Sequence, residues 1–227
     1  MIQPILQFDV PPYRLSGTVY GTLLNSAASL AALGDAVNAA PYKAAPKAPV
    51  LYVKPRNTLA VNGDRVAVPP SAGELQVGAT LGLVIGRTAC RVSETDALSY
   101  LAGYTAVIDF SVPHESFYRP SVRFKALDGS CVVGPSVVPA NRIPDPDRLP
   151  IKVYVDGALA QSSSTAGMVR NAARLLADVT EFMTLAPGDI LLLGVPAGAP
   201  HAKPAQSVTV EIEGIGRLEN VLIKEEA

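Results

Sequence analysis

Alternation of apolar and polar positions is clearest near the end of the chain. Residues 206–213 set Val208, Val210 and Ile212 against Thr209, Glu211 and Glu213, and after a Gly-Ile-Gly turn residues 217–223 return as the second arm of a hairpin. A similar pattern at 151–155 runs into the Asp156-Gly157 turn, with 158–162 as the returning arm. Continuous apolar runs predict strands covered on both faces at 80–85 (TLGLVI, between Gly78 and Gly86), at 104–110, and at 190–195 after the APGD turn. Weaker strand signals lie at 5–10 and 15–22, joined through PPYR, and at 51–53. Two more, TLAV and RVAV, flank the Asn62-Gly63-Asp64 turn.

Helical periodicity is sparser. Residues 24–39 are rich in Ala and Leu, with Asn25 or Ser26 near the start, and Ser93 with Asp96 three residues on predicts a short capped helix ending at Gly103. The strongest helix spans roughly 166–183. Met168, Ala172, Leu175, Leu176, Val179 and Phe182 form its apolar face, and Arg170, Arg174, Asp178 and Glu181 lie largely opposite. Many short strands with few helices give an α+β chain, predominantly β, with too few helices for a doubly wound sheet. PYKAAPKAP at 41–49 breaks all periodicity and divides a small N-terminal appendage, 1–48, from a main domain, 49–227.

Candidate chemistry concentrates where the 104–110 strand gives way to a polar, proline-bearing stretch that must leave the sheet. Asp109, His114, Glu115, Tyr118, Arg119, Arg123, Lys125 and Asp128 all fall there, so the pocket is expected at that strand's mouth. Lys54 and Arg56 end the 51–53 strand and are suited to anions, and His114 is suited to proton exchange near neutrality. Gln161 and Thr165 are further candidates to reach a ligand, with Thr165 equally placed to cap the long helix. Asp128-Gly129 reads as a tight turn. The glycines of PAGAP allow close backbone approach, but there is no GxGxxG and no GKS or GKT for a phosphate loop.

Composition narrows the classes. A net charge of -1 argues against nucleic acid, and no run of 18 apolar residues could cross a bilayer. The first residues have neither a basic start nor a small-residue cleavage site, so a cytoplasmic protein is expected, with Cys90 and Cys131 as reduced, buried thiols. Charged residues make up only 17% of the chain, which suggests that another subunit covers part of the surface.

The ordered set YVKPRNT (52–58), LGLVIGR (81–87), DALSYLAGYT (96–105), LDG (127–129), VGP (133–135), Gln161 with Thr165, EFMTLAPGDILLLGVPAG (181–198) and GIGRLEN (214–220) resembles the fumarylacetoacetate hydrolase family over about 50–223. KPRNT, PHESFYRP and EFMTL point within it to members acting in 4-hydroxyphenylacetate (homoprotocatechuate) degradation. The resemblance implies a mixed β-sheet roll like that of the family's C-terminal domain. It also implies a subunit that decarboxylates 5-carboxymethyl-2-oxo-hex-3-ene-1,7-dioate and isomerises 2-hydroxyhepta-2,4-diene-1,7-dioate. His114, Glu115 and Lys125 would be catalytic; Lys54, Arg119, Arg123, Gln161 and Thr165 would bind the unsaturated 2-oxo or 2-hydroxy acid. The implied partners are a second copy or a homologous sister subunit.

Family members hold magnesium with two glutamates in an ExE arrangement and an aspartate. The aspartate position here is Asp109, but Gly78 and Thr80 stand at the glutamate positions, a set that would leave the ion largely solvated. The family's TGTPxG pattern is likewise LGVPAG, with Leu193 and Val195 in place of hydroxyls. These departures imply a second role for the chain: a catalytically degenerate structural subunit beside a metal-binding sister.

Overall fold

The computed structural model describes residues 18–114, 116, 117 and 122–225. The described part of the chain forms β1 (Val19–Leu23), α1 (Ala27–Ala31), β2 (Val50–Lys54), β3 (Leu59–Val61), β4 (Arg65–Val68), β5 (Leu75–Ile85), β6 (Leu101–Ser111), α2 (Val122–Lys125), β7 (Cys131–Val133), β8 (Val138–Pro139), β9 (Pro150–Val155), β10 (Ala158–Ser164), α3 (Ala172–Thr180), β11 (Ile190–Leu192), β12 (His201–Ala202), β13 (Ser207–Ile212) and β14 (Gly216–Lys224). One sheet runs β2-β1-β11-β5-β6-β7-β3, with β12 added beside β5 and β8 beside β6; the other runs β10-β9-β13-β14-β4. The result is the expected α+β architecture dominated by strands. The expected strand at 5–10 lies outside the described residues. Among the described residues no helix is long and apolar enough to cross a membrane.

The long antiparallel pair β5–β6 organises the first sheet, in register from Gln76↔Ser111 to Val84↔Gly103, with a shift before Ile85↔Leu101. Because side chains alternate along a strand, Leu75, Val77, Ala79, Leu81, Leu83 and Ile85 enter one large core. There they join Ile108 and Phe110 of β6, Val208, Val210, Leu218 and Leu222 of the second sheet, and Leu175, Leu176 and Val179 of α3. On the opposite face the same two strands carry Gln76, Gly78, Thr80 and Gly82 facing Ser111, Asp109, Val107 and Thr105. A run that reads as uniformly apolar is thus two-sided, and its small and polar face bears the site.

β1 lies inside this sheet, parallel to β11 and antiparallel to β2, so residues 18–23 of the expected appendage are hydrogen-bonded into the sheet of the main domain. The Asn62-Gly63-Asp64 turn carries the chain from one sheet to the other: β3 pairs with β7, whereas β4 pairs with β14. The Asn220 amide fastens this crossing by donating to the carbonyls of Val61 and Asp64 at 3.0 and 2.9 Å. Both predicted hairpins form, as β9–β10 and β13–β14.

The helices are shorter than their periodicity predicts. The 24–39 segment gives one turn, α1, capped by Ser26, and a 3-10 turn at Gly34–Asn38. Ser93 accepts from the Asp96 backbone as expected, but only a 3-10 turn at Ala97–Tyr100 forms before β6 begins. The long helix starts at Ala172 because Asn25 holds the backbone of Arg170 outside it: its amide donates to the Arg170 carbonyl at 2.9 Å and accepts from the Arg170 N–H at 3.0 Å. Asn171, not Thr165, is its cap. Phe182, assigned to the apolar face, lies past the helix end and is 63% exposed. Cys131 is buried as expected, but Cys90 is exposed; both are free thiols.

Leu81 is fully buried in the shared core, so L81A is expected to cost about 2–5 kcal/mol. L159A, at an exposed position of β10, should change stability by less than about 0.5 kcal/mol. Urea unfolding of the two variants beside the parent measures the contrast.

Candidate active site

Three separate stretches meet at the end of the polar face. β2 delivers Tyr52 and Lys54, two residues apart and therefore on one side of the strand. β6 delivers Asp109, directly opposite Gly78, and α2 ends in Lys125. Glycine at position 21, the cross-strand partner of Tyr52, makes room for the phenol: a Cβ there would stand 2.0 Å from the ring.

Asp109 is the hub. Lys125 Nζ donates to its Oδ2 at 2.8 Å, the Tyr52 hydroxyl donates to the same oxygen, and Lys54 Nζ lies 2.9 Å from Oδ1. That last contact is ionic and not an aligned hydrogen bond, since Oδ1 has no hydrogen-bond partner. The three N–H donors of Lys54 go instead to the carbonyl of Lys125, to Ser130 Oγ at 2.9 Å and to the carbonyl of Phe110 at 3.3 Å. Lys54 is 0% exposed, Asp109 1% and Lys125 5%.

Burial by itself would raise the Asp109 pKa. The Lys125 and Lys54 ammoniums and the hydrogen bonds from Lys125 and Tyr52 outweigh it and hold the carboxyl well below its ordinary range. Tyr52 is driven well above the usual phenol value, first by burial and then by the Asp109 charge, so it remains a donor. Cys131, buried close by, is pushed up to about 12, chiefly by desolvation, and stays a thiol.

Beside this cluster opens a cavity of about 100 Å³, lined by Tyr52, Gln76, His114, Phe117, Lys125 and the 195–199 segment among others. His114 stacks on Phe124 with centroids 4.9 Å apart, and its Nδ1 lies 2.8 Å from the carbonyl of Val112. A carbonyl can only accept, so the proton sits on Nδ1 and leaves Nε2 as the basic nitrogen. Nε2 is buried and has no hydrogen-bond partner among the described residues. Burial lowers the His114 pKa from its ordinary value, which keeps the ring neutral at pH 7.

The residues singled out from the sequence separate into three groups. His114 and Lys125 line the cavity, and Asp109 lies behind it against Lys125 and Tyr52. Lys54, expected to reach a ligand carboxylate, is instead enclosed behind Asp109 with its donors spent. Gln161 is buried outside the lining; its Nε2 donates to the carbonyl of Ala197 at 2.8 Å and so supports the cavity wall. Thr165 accepts from the Leu149 N–H and donates to the carbonyl of Pro146, both at 2.8 Å, pinning the loop before β9. Arg123 is exposed on α2, and Asp128 accepts from the Asn57 amide at 2.6 Å in the predicted turn. Glu115, Tyr118 and Arg119 lie outside the described residues. Tyr52 and Gln76 were not singled out, although the two-residue spacing of Tyr52 and Lys54 within YVK was a usable signal for the former.

The donor set does not fit magnesium. Both Asp109 oxygens face ammonium groups, Gly78 has no side chain, and the Thr80 hydroxyl donates to the carbonyl of Gly194 at 2.9 Å while accepting from the Gly194 N–H at 3.2 Å. Glu74 is engaged with His201 at 2.7 Å. No group of three or more His, Cys, Asp or Glu able to hold an ion occurs among the described residues.

Removing the Asp109 charge would leave two buried ammoniums without a counter-ion. D109N is therefore expected to lose about 3–5 kcal/mol of stability, read as a lowered denaturation midpoint in guanidinium chloride.

Comparison with known proteins agrees with this architecture. The profile of the fumarylacetoacetate (FAA) hydrolase C-terminal family matches residues 18–223. A 4-hydroxyphenylacetate degradation bifunctional isomerase/decarboxylase of Escherichia coli is 41% identical over 211 residues, which cover 93% of this chain and 48% of that protein; the chain spans about half the length of such relatives. The mitochondrial oxaloacetate tautomerase fahd-1 of Caenorhabditis elegans is 35% identical over 160 residues, 68% of this chain and 74% of its own. Among solved structures, a 5-carboxymethyl-2-hydroxymuconate delta-isomerase from Mycobacterium smegmatis superposes with a TM-score of 0.79 at 27% identity, covering 99% of this chain and 82% of that one. By the span of the profile and the extent of these identities, the chain belongs to the fumarylacetoacetate hydrolase family.

Proposed function

We propose that the chain is a cytoplasmic subunit of an assembly that decarboxylates 5-carboxymethyl-2-oxo-hex-3-ene-1,7-dioate and isomerises 2-hydroxyhepta-2,4-diene-1,7-dioate in the breakdown of 4-hydroxyphenylacetate. The observation carrying this reading is the meeting of Lys125 and His114 at one cavity, in a chain matched over 93% of its length by an isomerase/decarboxylase. Isomerisation of the dienol moves a proton from the 2-hydroxyl to a diene carbon, with C2–O becoming a carbonyl. Nε2 of neutral His114 accepts the hydroxyl proton and returns it to carbon, while the Lys125 ammonium holds the charge that develops on oxygen between the two transfers. Decarboxylation needs the same oxygen stabilised as CO2 departs with its carbon–carbon bond electrons left on the dienolate. The Val112 carbonyl and the Phe124 ring orient the imidazole in this scheme, Glu115 assists the proton transfer, and Arg119 or Arg123 binds the outlying carboxylates.

A second reading is favoured by the way Asp109 is spent on two lysines: the chain is a structural subunit that completes an assembly with a homologous, metal-binding sister, or with a second copy of itself. The purified chain, alone and mixed with such a sister, assayed on both substrates with magnesium or chelator, separates the two. Turnover by the isolated chain supports the catalytic reading. Absence of turnover alone, with rescue by the sister that is indifferent to H114Q, supports the structural one.

If the catalytic reading holds, H114Q should lower kcat by about 10²–10⁴-fold. Because burial lowers the His114 pKa and the neutral ring is the active form, turnover should persist through neutrality and fall only as pH drops below the usual imidazole range. The pH profile of kcat in the parent tests this sign.

A further inference from the structure

We propose that the Lys54 and Lys125 ammoniums stand in for a divalent cation at Asp109, and that the adjoining cavity takes a small carboxylate on Lys125 with no metal between them. This rests on geometry alone and holds whether or not the chain turns over the substrates named above.

The two lysines have different parts. Lys54 is saturated: three N–H donors meet three acceptors, with Asp109 Oδ1 in ionic contact at 2.9 Å. It is a fixed internal charge out of reach of any ligand. Lys125 spends one donor on Asp109 Oδ2, its one acceptor among the described residues, and stands at the cavity wall 4.8 Å from the Tyr52 ring centroid. Its other two N–H bonds meet no acceptor among the described residues and point to a guest as their partner. Among the described residues two ammoniums stand against one carboxylate, an excess of one positive charge that an anion entering the cavity would neutralise.

The strand opposite closes the alternative. A Cβ at Gly78 would lie 2.6 Å from the Asp109 backbone oxygen and 2.9 Å from Val195 Cγ2, so the backbone there leaves no room for a carboxylate-bearing side chain without a shift. Thr80 is held by the Gly194 backbone in both directions. The site has therefore closed around its lysines, and its volume of about 100 Å³ suits a short acid.

Calorimetry on the full chain with pyruvate as probe tests this. Pyruvate should bind in EDTA with an affinity unchanged by added magnesium, and magnesium alone should give no heat. K125Q, which keeps a donor to Asp109 but removes the charge, should weaken pyruvate at least about tenfold, with circular dichroism reporting whether it folds. V195L, which narrows the cavity without touching the ion cluster, should weaken it as well. Pyruvate binding that requires magnesium, magnesium binding that D109N abolishes, no pyruvate binding in either condition, or full affinity in folded K125Q would each overturn the proposal. Turnover is not read, so its failure is separate from failure of the assigned reaction.

Discussion

Burying Asp109 beside two lysines is the constraint from which the site's form follows. Each ion taken from water costs on the order of several kcal/mol, and that cost is offset only where the partners are close and the remaining donors and acceptors are met. Lys54 meets this condition through Phe110, Lys125 and Ser130; Asp109 meets it at Oδ2 through Lys125 and Tyr52, while its Oδ1 has only the ionic contact with Lys54. The cluster therefore ties β2, β6, α2 and the turn before β7 to one point. Among the described residues Lys125 is the member of the pair that still has donors to offer.

The sheet makes this arrangement possible. One face of β5–β6 is wholly apolar and packs against the second sheet and α3, which gives the strands a rigid backing. The other face packs only a smaller apolar cluster through Val84 and Val107, and it carries Asp109 opposite a glycine and Thr80 opposite Val107. The 195–199 segment closes over this face, held from outside by Gln161. A residue that touches no ligand thereby shapes the cavity, and one that belongs to the ion cluster, Lys54, lies behind it.

Much of the architecture was legible in the chain. Period-two alternation located β9, β10, β13 and β14, apolar runs located β5, β6 and β11, and turn residues located the hairpin between β9 and β10 because φ > 0 is required there, as Asp156 and Gly157 show. The helices were less legible. Periodicity at 166–183 is compatible with a longer helix, and it is a side chain far away in sequence, Asn25, that captures the backbone of Arg170 and delays the start to Ala172. Phe182 fits the apolar period but lies beyond the helix end, where period no longer implies a face.

By itself the sequence determined the strand-rich class, the family, and the chemistry in reach: a carboxylate, a histidine and lysines near one strand end, with no carboxylates at 78 and 80. Those are properties of residue type and spacing, which local geometry translates directly. Only the tertiary structure decided what each group does with its charge. The contacts of Lys54 with Asp109, of Gln161 with Ala197 and of Thr165 with Pro146 join residues distant in the chain, and no local period encodes them. Identical ammonium groups became a sealed counter-ion at Lys54 and a cavity-facing donor at Lys125 because burial and the supply of acceptors differ between the two, and both are set by packing.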